Sequence, residues 1–291
     1  GVDKSMKALV TGGVGFVGTN LIKRLLKDGY DVVSLDNYHT GKKENEQEGC
    51  EYFNVDIRDC VNFDYFMENP DVIFHLSALP RIQPSYKYPA STFENNVLAT
   101  MNILEWVRTM KTEKRVSVIY AGSSSTHGGN YANPYTFTKW QGEELCKLYS
   151  LVYQVRTTIC RFYNVYGPHQ LTEGDYCTIV GIFENQYKNN KPLTITDDGN
   201  QRRDFTHVED IVDGLIRAAD NLNTLHTEYE LGRGKNYSIN EIADVFGDYP
   251  REYIESRNGE MRETLCTDDN AKKYLGWNPT KDVTDYIKSI L

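Results

Sequence analysis

The chain contains no apolar run long enough to span a bilayer, and no charged-then-apolar opening of the kind that directs secretion. Paired cysteines are missing too: the six, at 50, 60, 146, 160, 177 and 266, are scattered without a C-x-x-C among them. The six histidines nowhere take zinc-ligand spacing. Neither a disulfide scaffold nor a metal is therefore expected, and the thiols fit a reducing compartment, the cytoplasm. Positive charge is also in deficit, with 32 Lys and Arg against 41 Asp and Glu for a net charge of −9. Without a basic stripe a nucleic-acid partner is excluded, and without a membrane segment so is a bilayer. A phosphorylated small molecule remains allowed, because a few arginines and helix N-termini can concentrate positive potential locally.

The 291 residues suffice for two units sharing a core without staples. Met6 reads as the natural start, with Gly1 to Ser5 a remnant of expression. Lys7 to Val10 is a short apolar run that breaks at Gly12 into helical spacing over Phe16 to Lys27, with Phe16, Leu21, Ile22, Leu25 and Leu26 inward. The beat repeats as strand Asp31–Leu35, strand Tyr52–Val55, helix Asn62–Glu68, strand Val72–Leu76, helix Val97–Met110, strand Val116–Tyr120, helix Tyr135–Tyr153 and strand Thr157–Phe162. Alternation of this kind predicts an α/β protein with a Rossmann-like, doubly wound parallel sheet. After Tyr166-Gly167-Pro168 the beat weakens into helices Thr178–Lys188 and Val208–Asn221, a turn at Asp197–Asn200 and shorter pieces. Residues 6–165 are thus expected to form the dinucleotide-binding domain, and 166–291 a smaller C-terminal substrate-binding domain with some segments returning to the first.

Between the first strand and first helix lies Thr11-Gly12-Gly13-Val14-Gly15-Phe16-Val17-Gly18, which satisfies G-x-G-x-x-G. Glycines suit this position because the backbone must turn tightly and approach a pyrophosphate, which the helix N-terminus then attracts. Asp36 ends the second strand at the spacing where a carboxylate accepts the ribose hydroxyls and repels a 2′-phosphate, so NAD is favoured over NADP. By the same geometry Asp56 and Ile57, after the third strand, are placed beside the adenine; a plain turn aspartate is the competing reading.

Tyr135 and Lys139 stand four apart near a helix start and share a face. A phenol is a poor base near neutrality unless adjacent positive charge favours the phenolate, which an ammonium and a nicotinamide ring would supply. Ser123 follows the strand Val116–Tyr120, at the sheet end where ligands bind, and offers a hydroxyl to the substrate oxygen. Singly, each of these has an ordinary reading as a solvated or turn-forming residue. Their order on one Rossmann-like chain is what points to chemistry.

Together with His75-Leu76-Ser77-Ala78 and Asn95-Asn96-Val97, these motifs resemble the extended short-chain dehydrogenase/reductase superfamily. Arg161-Phe162-Tyr163-Asn164-Val165-Tyr166-Gly167-Pro168, Gln201 to Asp210, and Lys273-Tyr274-Leu275-Gly276-Trp277 narrow the resemblance to its nucleotide-sugar epimerase/dehydratase branch. The resemblance implies bound NAD contacted also by Phe16, Val17, Asn37, Leu76, Ala78, Asn96 and Phe162, beside Tyr135 and Lys139. It implies a nucleotide-sugar substrate, UDP-linked, held by Asn164, Arg203, Arg257 and Glu260, and a 4-epimerase that works through a transient 4-keto sugar without net redox. Many relatives dimerise through two helices of each subunit, which implies a homodimer built on 97–110 and 135–153.

In the branch's 4,6-dehydratases, acids follow the position of Ser123; here Ser124 and Ser125 follow it, which disfavours dehydration. A decarboxylase would want an acid near that turn and a carboxylate-binding arginine, of which only the second is at hand, in Arg81. A 4-reductase is a further alternative, and a non-catalytic NAD-binding regulator a more distant one. Thr264 falls where the resemblance puts a bulky tyrosine in enzymes limited to glucose and galactose, so a 2-acetamido group is expected to fit. The chain departs from its relatives in the few residues between His127-Gly128 and Tyr135 and in its trimmed C-terminal end. His127, where an aromatic is usual, reads first as a loop residue without a role, with a catalytic accessory as the alternative.

Overall fold

Ala8, Leu9 and Val10 are all fully buried in the first strand, and a strand hidden on both faces belongs in the middle of a covered sheet. The computed structural model describes residues 5–221, 224–256 and 259–291. In it β1 (Lys7–Thr11), β2 (Asp31–Asp36), β3 (Glu51–Asn54), β4 (Val72–His75), β5 (Ser117–Ser123) and β6 (Arg156–Phe162) form a parallel sheet. Further strands follow: β7 (Val165–Tyr166), β8 (Leu193–Thr196), β9 (Arg202–Arg203), β10 (Thr206–His207), β11 (His226–Leu231), β12 (Tyr237–Ser238) and β13 (Arg251–Ile254). Of these β11 returns to the main sheet, pairing parallel with β6, so the seven-stranded order is β3-β2-β1-β4-β5-β6-β11.

Helices cover both faces. On one, α1 (Phe16–Lys27) buries Leu21, Ile22 and Leu25 against Ala8, Val10 and Phe74, beside Ile211 and Leu215 of the later helix Val208–Asp220. On the other, Ile103, Leu104 and Trp106 of Ala99–Thr109, with Cys146 and Tyr149 of Pro134–Tyr153, close over Leu9, Ile73 and Ile159. Each such Leu or Ile taken fully out of water contributes about 1.5–3 kcal/mol. A separate core around Phe183, Leu193, Ile195, Phe205, Ile242 and Ile287 organises the second half. Among the described residues no helix is long and apolar enough to cross a membrane.

The expected helix Asn62–Glu68 does not form; the segment is a series of turns after the single-turn helix Ile57–Asp59. Phe63 and Met67 bury as their spacing requires, but Asn62 accepts from the Asp64 N–H and Phe66 bonds back only to Phe63, so one turn is made before Asn69-Pro70 ends it. The strand β11 was hidden among the short pieces of the sequence reading.

Asp204, between β9 and β10, gathers the second half of the chain. Its buried carboxylate accepts the backbone N–H of Arg233 (3.0 Å), Gly234 (2.9 Å) and Cys266 (3.0 Å). Burial pushes the carboxyl above its usual range, and those three N–H groups oppose the shift. Asp204→Ala leaves buried donors without partners and is expected to lower unfolding free energy by at least about 3 kcal/mol, measured by urea denaturation.

Candidate active site

At the end of β1, Gly12 takes φ +77°, and its N–H bonds to Leu35 O at 2.8 Å. A Cβ on Gly18 would stand 2.1 Å from the Gly12 carbonyl oxygen, so the first turn of α1 packs directly on the glycine turn. No side chain caps α1 and no acid occupies its first turn, which leaves its N-terminus free to meet an anion. Gly12, Gly15, Phe16, Val17 and Gly18 line a cleft of about 370 Å³ that continues along the carboxyl ends of β2, β4 and β5. Asp36 is fixed at its edge, accepting from Val14 N (3.0 Å) and Tyr38 N (2.8 Å), with its pKa raised by burial against those bonds.

Asn37, Leu76, Ala78 and Phe162 also face this cleft. Asp56, Ile57 and Asn96 stand outside its lining. Asp56 is held by the Arg58 guanidinium at 2.9 Å, and Ile57 is part of the core. Asn96 bonds both ways with the backbone of Leu79, and Asn95 takes the lining position instead. The two asparagines lie in a π-helical turn, Glu94–Leu98, between Pro89–Phe93 and Ala99–Thr109. Such a turn shifts which residue faces inward, and ordinary helical spacing does not reveal it.

Ser123 closes β5, and the turn Ser124–Gly128 follows. Its hydroxyl accepts from Ser125 N at 3.2 Å and lies 2.9 Å from Ser125 Oγ, to which Thr136 Oγ1 donates at 3.1 Å. Asn133 caps the next helix through Thr136 N (2.8 Å) and Pro134 opens it, which sets Tyr135 in its first turn. Burial raises the Tyr135 phenol above its usual value; the nearby Ser123 side chain and the charge of Arg81 work against that rise. Lys139 stands one turn on, but its ammonium is tied elsewhere than to the phenol. It donates to Ala121 O at 2.8 Å and sits 5.2 Å from the Tyr120 ring centroid. Burial lowers its pKa to about 8, with Glu143 and Cys146 opposing.

At the far end of the cleft Asn164, Arg203, Glu260 and Thr264 come together. Thr264 Oγ1 donates to Asn164 Oδ1 at 3.2 Å and accepts from Asp204 N at 3.0 Å, while Arg203 Nη2 is 3.9 Å from Glu260. Arg257 lies outside the described residues. A smaller adjoining cavity of about 80 Å³ shares Asn164 and Arg203 and adds Thr196, Gln201, Phe205 and Ile239. Two lining groups have features that the sequence does not announce. Arg81 holds φ +81°, a strained conformation for a side-chain-bearing residue that carries no sequence signature. Ser125 stands in the serine run, which does not announce that its hydroxyl and N–H hold Ser123.

A glycine turn, a strand-end carboxylate and a Ser-Tyr-Lys group around one cleft define a dinucleotide-dependent enzyme of the short-chain dehydrogenase/reductase class. The profile of the NAD dependent epimerase/dehydratase family matches residues 8–232, and the chain belongs to that family. A putative UDP-glucose 4-epimerase of Methanocaldococcus jannaschii is 33% identical, covering 97% of this chain and 96% of its own. A UDP-glucose 4-epimerase of Mycolicibacterium smegmatis is 31% identical, covering 94% of each. The structure of UDP-glucuronic acid 4-epimerase from Bacillus cereus, in complex with UDP-glucuronic acid and NAD, aligns at a TM-score of 0.88 with 27% identity, over 98% of this chain and 100% of that one.

NAD is the cofactor, and the residues present fit it: a cradle that a Cβ at Gly18 would fill, an uncapped helix end for the pyrophosphate, and Asp36 for the ribose. Gly18→Ala is expected to cut the NAD released on denaturing the purified protein by more than about tenfold. Lys139 gives two opposite pH responses. Activity that needs its ammonium falls as pH rises through about 8. Stability of the cofactor-free protein instead rises between about 8 and the ordinary 10.5, because there the unfolded chain still holds a proton that the folded chain has released. Lys139→Met should flatten both curves, followed as kcat and as melting temperature against pH.

Proposed function

We propose that the protein is an NAD-dependent 4-epimerase of a UDP-linked hexose or N-acetylhexosamine. The observation that carries this reading is that Ser123, Tyr135 and Lys139 line one cleft where the following turn supplies hydroxyls, Ser124 and Ser125, and no carboxylate. Abstraction at C5 and loss of water from C6 have no agent there, whereas proton exchange with a single secondary alcohol does.

Bound NAD supplies a hydride acceptor that later returns the hydride, and a positive ring that favours the phenolate. Ser123 holds the sugar hydroxyl, and Tyr135 takes its proton and gives it back. Lys139, fixed to the Ala121 carbonyl, keeps positive charge one helical turn from the phenol. Arg203 grips the diphosphate while the sugar turns over between the two half-reactions, so the anchor must lie away from the reacting carbon; Asn164, Arg203 and Glu260 occupy the cleft end away from the glycine turn. The adjoining cavity, with Phe205, Ile239 and the partnerless buried Oε1 of Gln201, supports a flat, hydrogen-bonding base. Thr264 at the cleft wall supports acceptance of a 2-acetamido group. Exposed Leu98 and Met101, with Leu148, Leu151 and Val152 on the Pro134–Tyr153 helix, support a homodimer through these helices, and six unpaired thiols support a cytoplasmic setting.

The test is incubation of the NAD-loaded protein with UDP-, GDP- and dTDP-sugars, with products identified by NMR. Inversion at C4 of a UDP-hexose or UDP-N-acetylhexosamine is expected. A 4-keto-6-deoxy product or a pentose would replace the reading with dehydration or decarboxylation. Tyr135→Phe is expected to lower turnover by at least about 100-fold while leaving bound NAD unchanged.

A further inference from the structure

Beneath the catalytic turn lies a string of charged side chains that the proposed reaction does not use. Arg161 on β6 meets three carboxylates. Its guanidinium bonds Glu143 through both oxygens (3.0 and 2.9 Å), pairs with Glu228, and lies 3.8 Å from Glu230. Arg161 and Glu230 are register partners across β6 and β11. Glu143 is one turn beyond Lys139, and its carboxylate lies 2.9 Å from where a Cβ on Gly122 would stand, directly under the residue before Ser123. Both Glu143 and Glu230 are buried. One guanidinium cannot neutralise three carboxylates, and buried excess charge is costly.

His226 of the same strand lies 3.4 Å from Glu228, and the turn brings a further cation to Glu230. His127, half exposed, bonds Glu230 through Nε2, and the other oxygen of Glu230 is buried without a partner. The turn Ser124–Gly128 carries Ser125, whose hydroxyl and N–H hold Ser123. We propose that protonated His127 is a positioning residue, whose ion pair with Glu230 clamps this turn to the sheet edge and thereby sets Ser123 against Tyr135. The role rests on the epimerase reading for its kinetic consequence but not for its existence. It reaches further than the turn: the residues after Glu230 run straight into Arg233 and Gly234, whose N–H groups Asp204 holds. The clamp therefore joins the catalytic turn to the strand that leads into the substrate end of the cleft.

The groups facing the imidazole are Glu230, Arg161 and Glu143. Glu230 raises its pKa above the usual 6.5, and burial and Arg161 oppose. A raised histidine pKa means the clamp is complete at and below 6.5 and is released as pH rises through the raised value. In the NAD-loaded protein, kcat is expected to fall on that alkaline rise while KM stays level. His127→Gln should lower kcat about tenfold, remove that limb and leave only the one from Lys139 near 8. Glu230→Gln should do the same, and the double variant should be no worse than the poorer single one. Parental kcat and pH profile in His127→Gln, or losses that multiply in the double variant, would overturn the clamp.

A second readout needs no turnover. Titration of the His127 ring by NMR, assigned by its loss in His127→Gln, should give a midpoint above 6.5 that drops in Glu230→Gln. A midpoint indifferent to Glu230 overturns the proposal even if a sugar nucleotide is turned over. A shifted midpoint without any turnover upholds the ion pair and removes the reaction instead.

Discussion

Parallel pairing is the constraint from which the site follows. In a sheet whose strands all run one way, every β-to-α turn leaves from the same edge. Thr11 sits beside His75 and Ser123 beside Phe162 in the strand register, so four turns of different sequence open on one cleft. The order of strands decides what meets there. Because β1 lies between β2 and β4, the glycine turn has Asp36 on one side and Leu76 to Ala78 on the other. Because β5 follows β4, the serine turn falls beside the same cleft. A helix entering from either face then needs only a cap to place its first side chains, and Asn133 with Pro134 does this for Tyr135.

Burial makes the proposed catalytic groups demanding. Tyr135 and Lys139 are both driven toward their neutral forms by desolvation, the phenol upward and the ammonium down to about 8. Neither shift alone assists a base. What rescues the pair is a ring of weak partners: the Ser123 hydroxyl and the Arg81 charge at the phenol, Ala121 O and the Tyr120 ring at the ammonium. Lys139 is therefore held by the sheet rather than by the phenol.

The sheet, its faces and most of the cleft were legible because they rest on periodicity and glycine chemistry, which are local. Lys7 to Val10 could only be a covered strand, and the glycines before Phe16 could only be a turn against a helix. Where local signals mislead, a non-local partner had decided. Phe63, Phe66 and Met67 have helical spacing, yet Asn62 and Asn69-Pro70 leave room for a single turn. His226 to Leu231 looks too charged for a strand in a main sheet. Its Tyr229 and Leu231 enter the core on one face, while Glu228 and Glu230 turn to Arg161 on the other. Nothing in the six residues announces that arginine, which lies about 65 positions earlier. The same blindness hid His127, whose partner is 103 residues away.

The short connection between turn and helix gives that distant contact its weight. Only Gly129 to Asn133 separate the turn from Pro134, and Tyr131 within them is almost fully exposed, in ring contact with Phe137 and Trp140 rather than with the cleft. A longer insertion could fold back and brace the serines from above; this one cannot. The turn is therefore held from β5 on one side, from the helix cap on the other, and from below by whatever its own side chains reach. Thr126 bonds only to Ser123 O, and Gly128 brings Met261 close without a polar bond. His127 alone among the turn's side chains reaches another strand through a charged group. For the proposed epimerase, which must hold one alcohol oxygen in place through two opposite hydride transfers, a turn free to drift would misplace Ser123 twice per cycle, so a brace from the sheet is worth its buried charge.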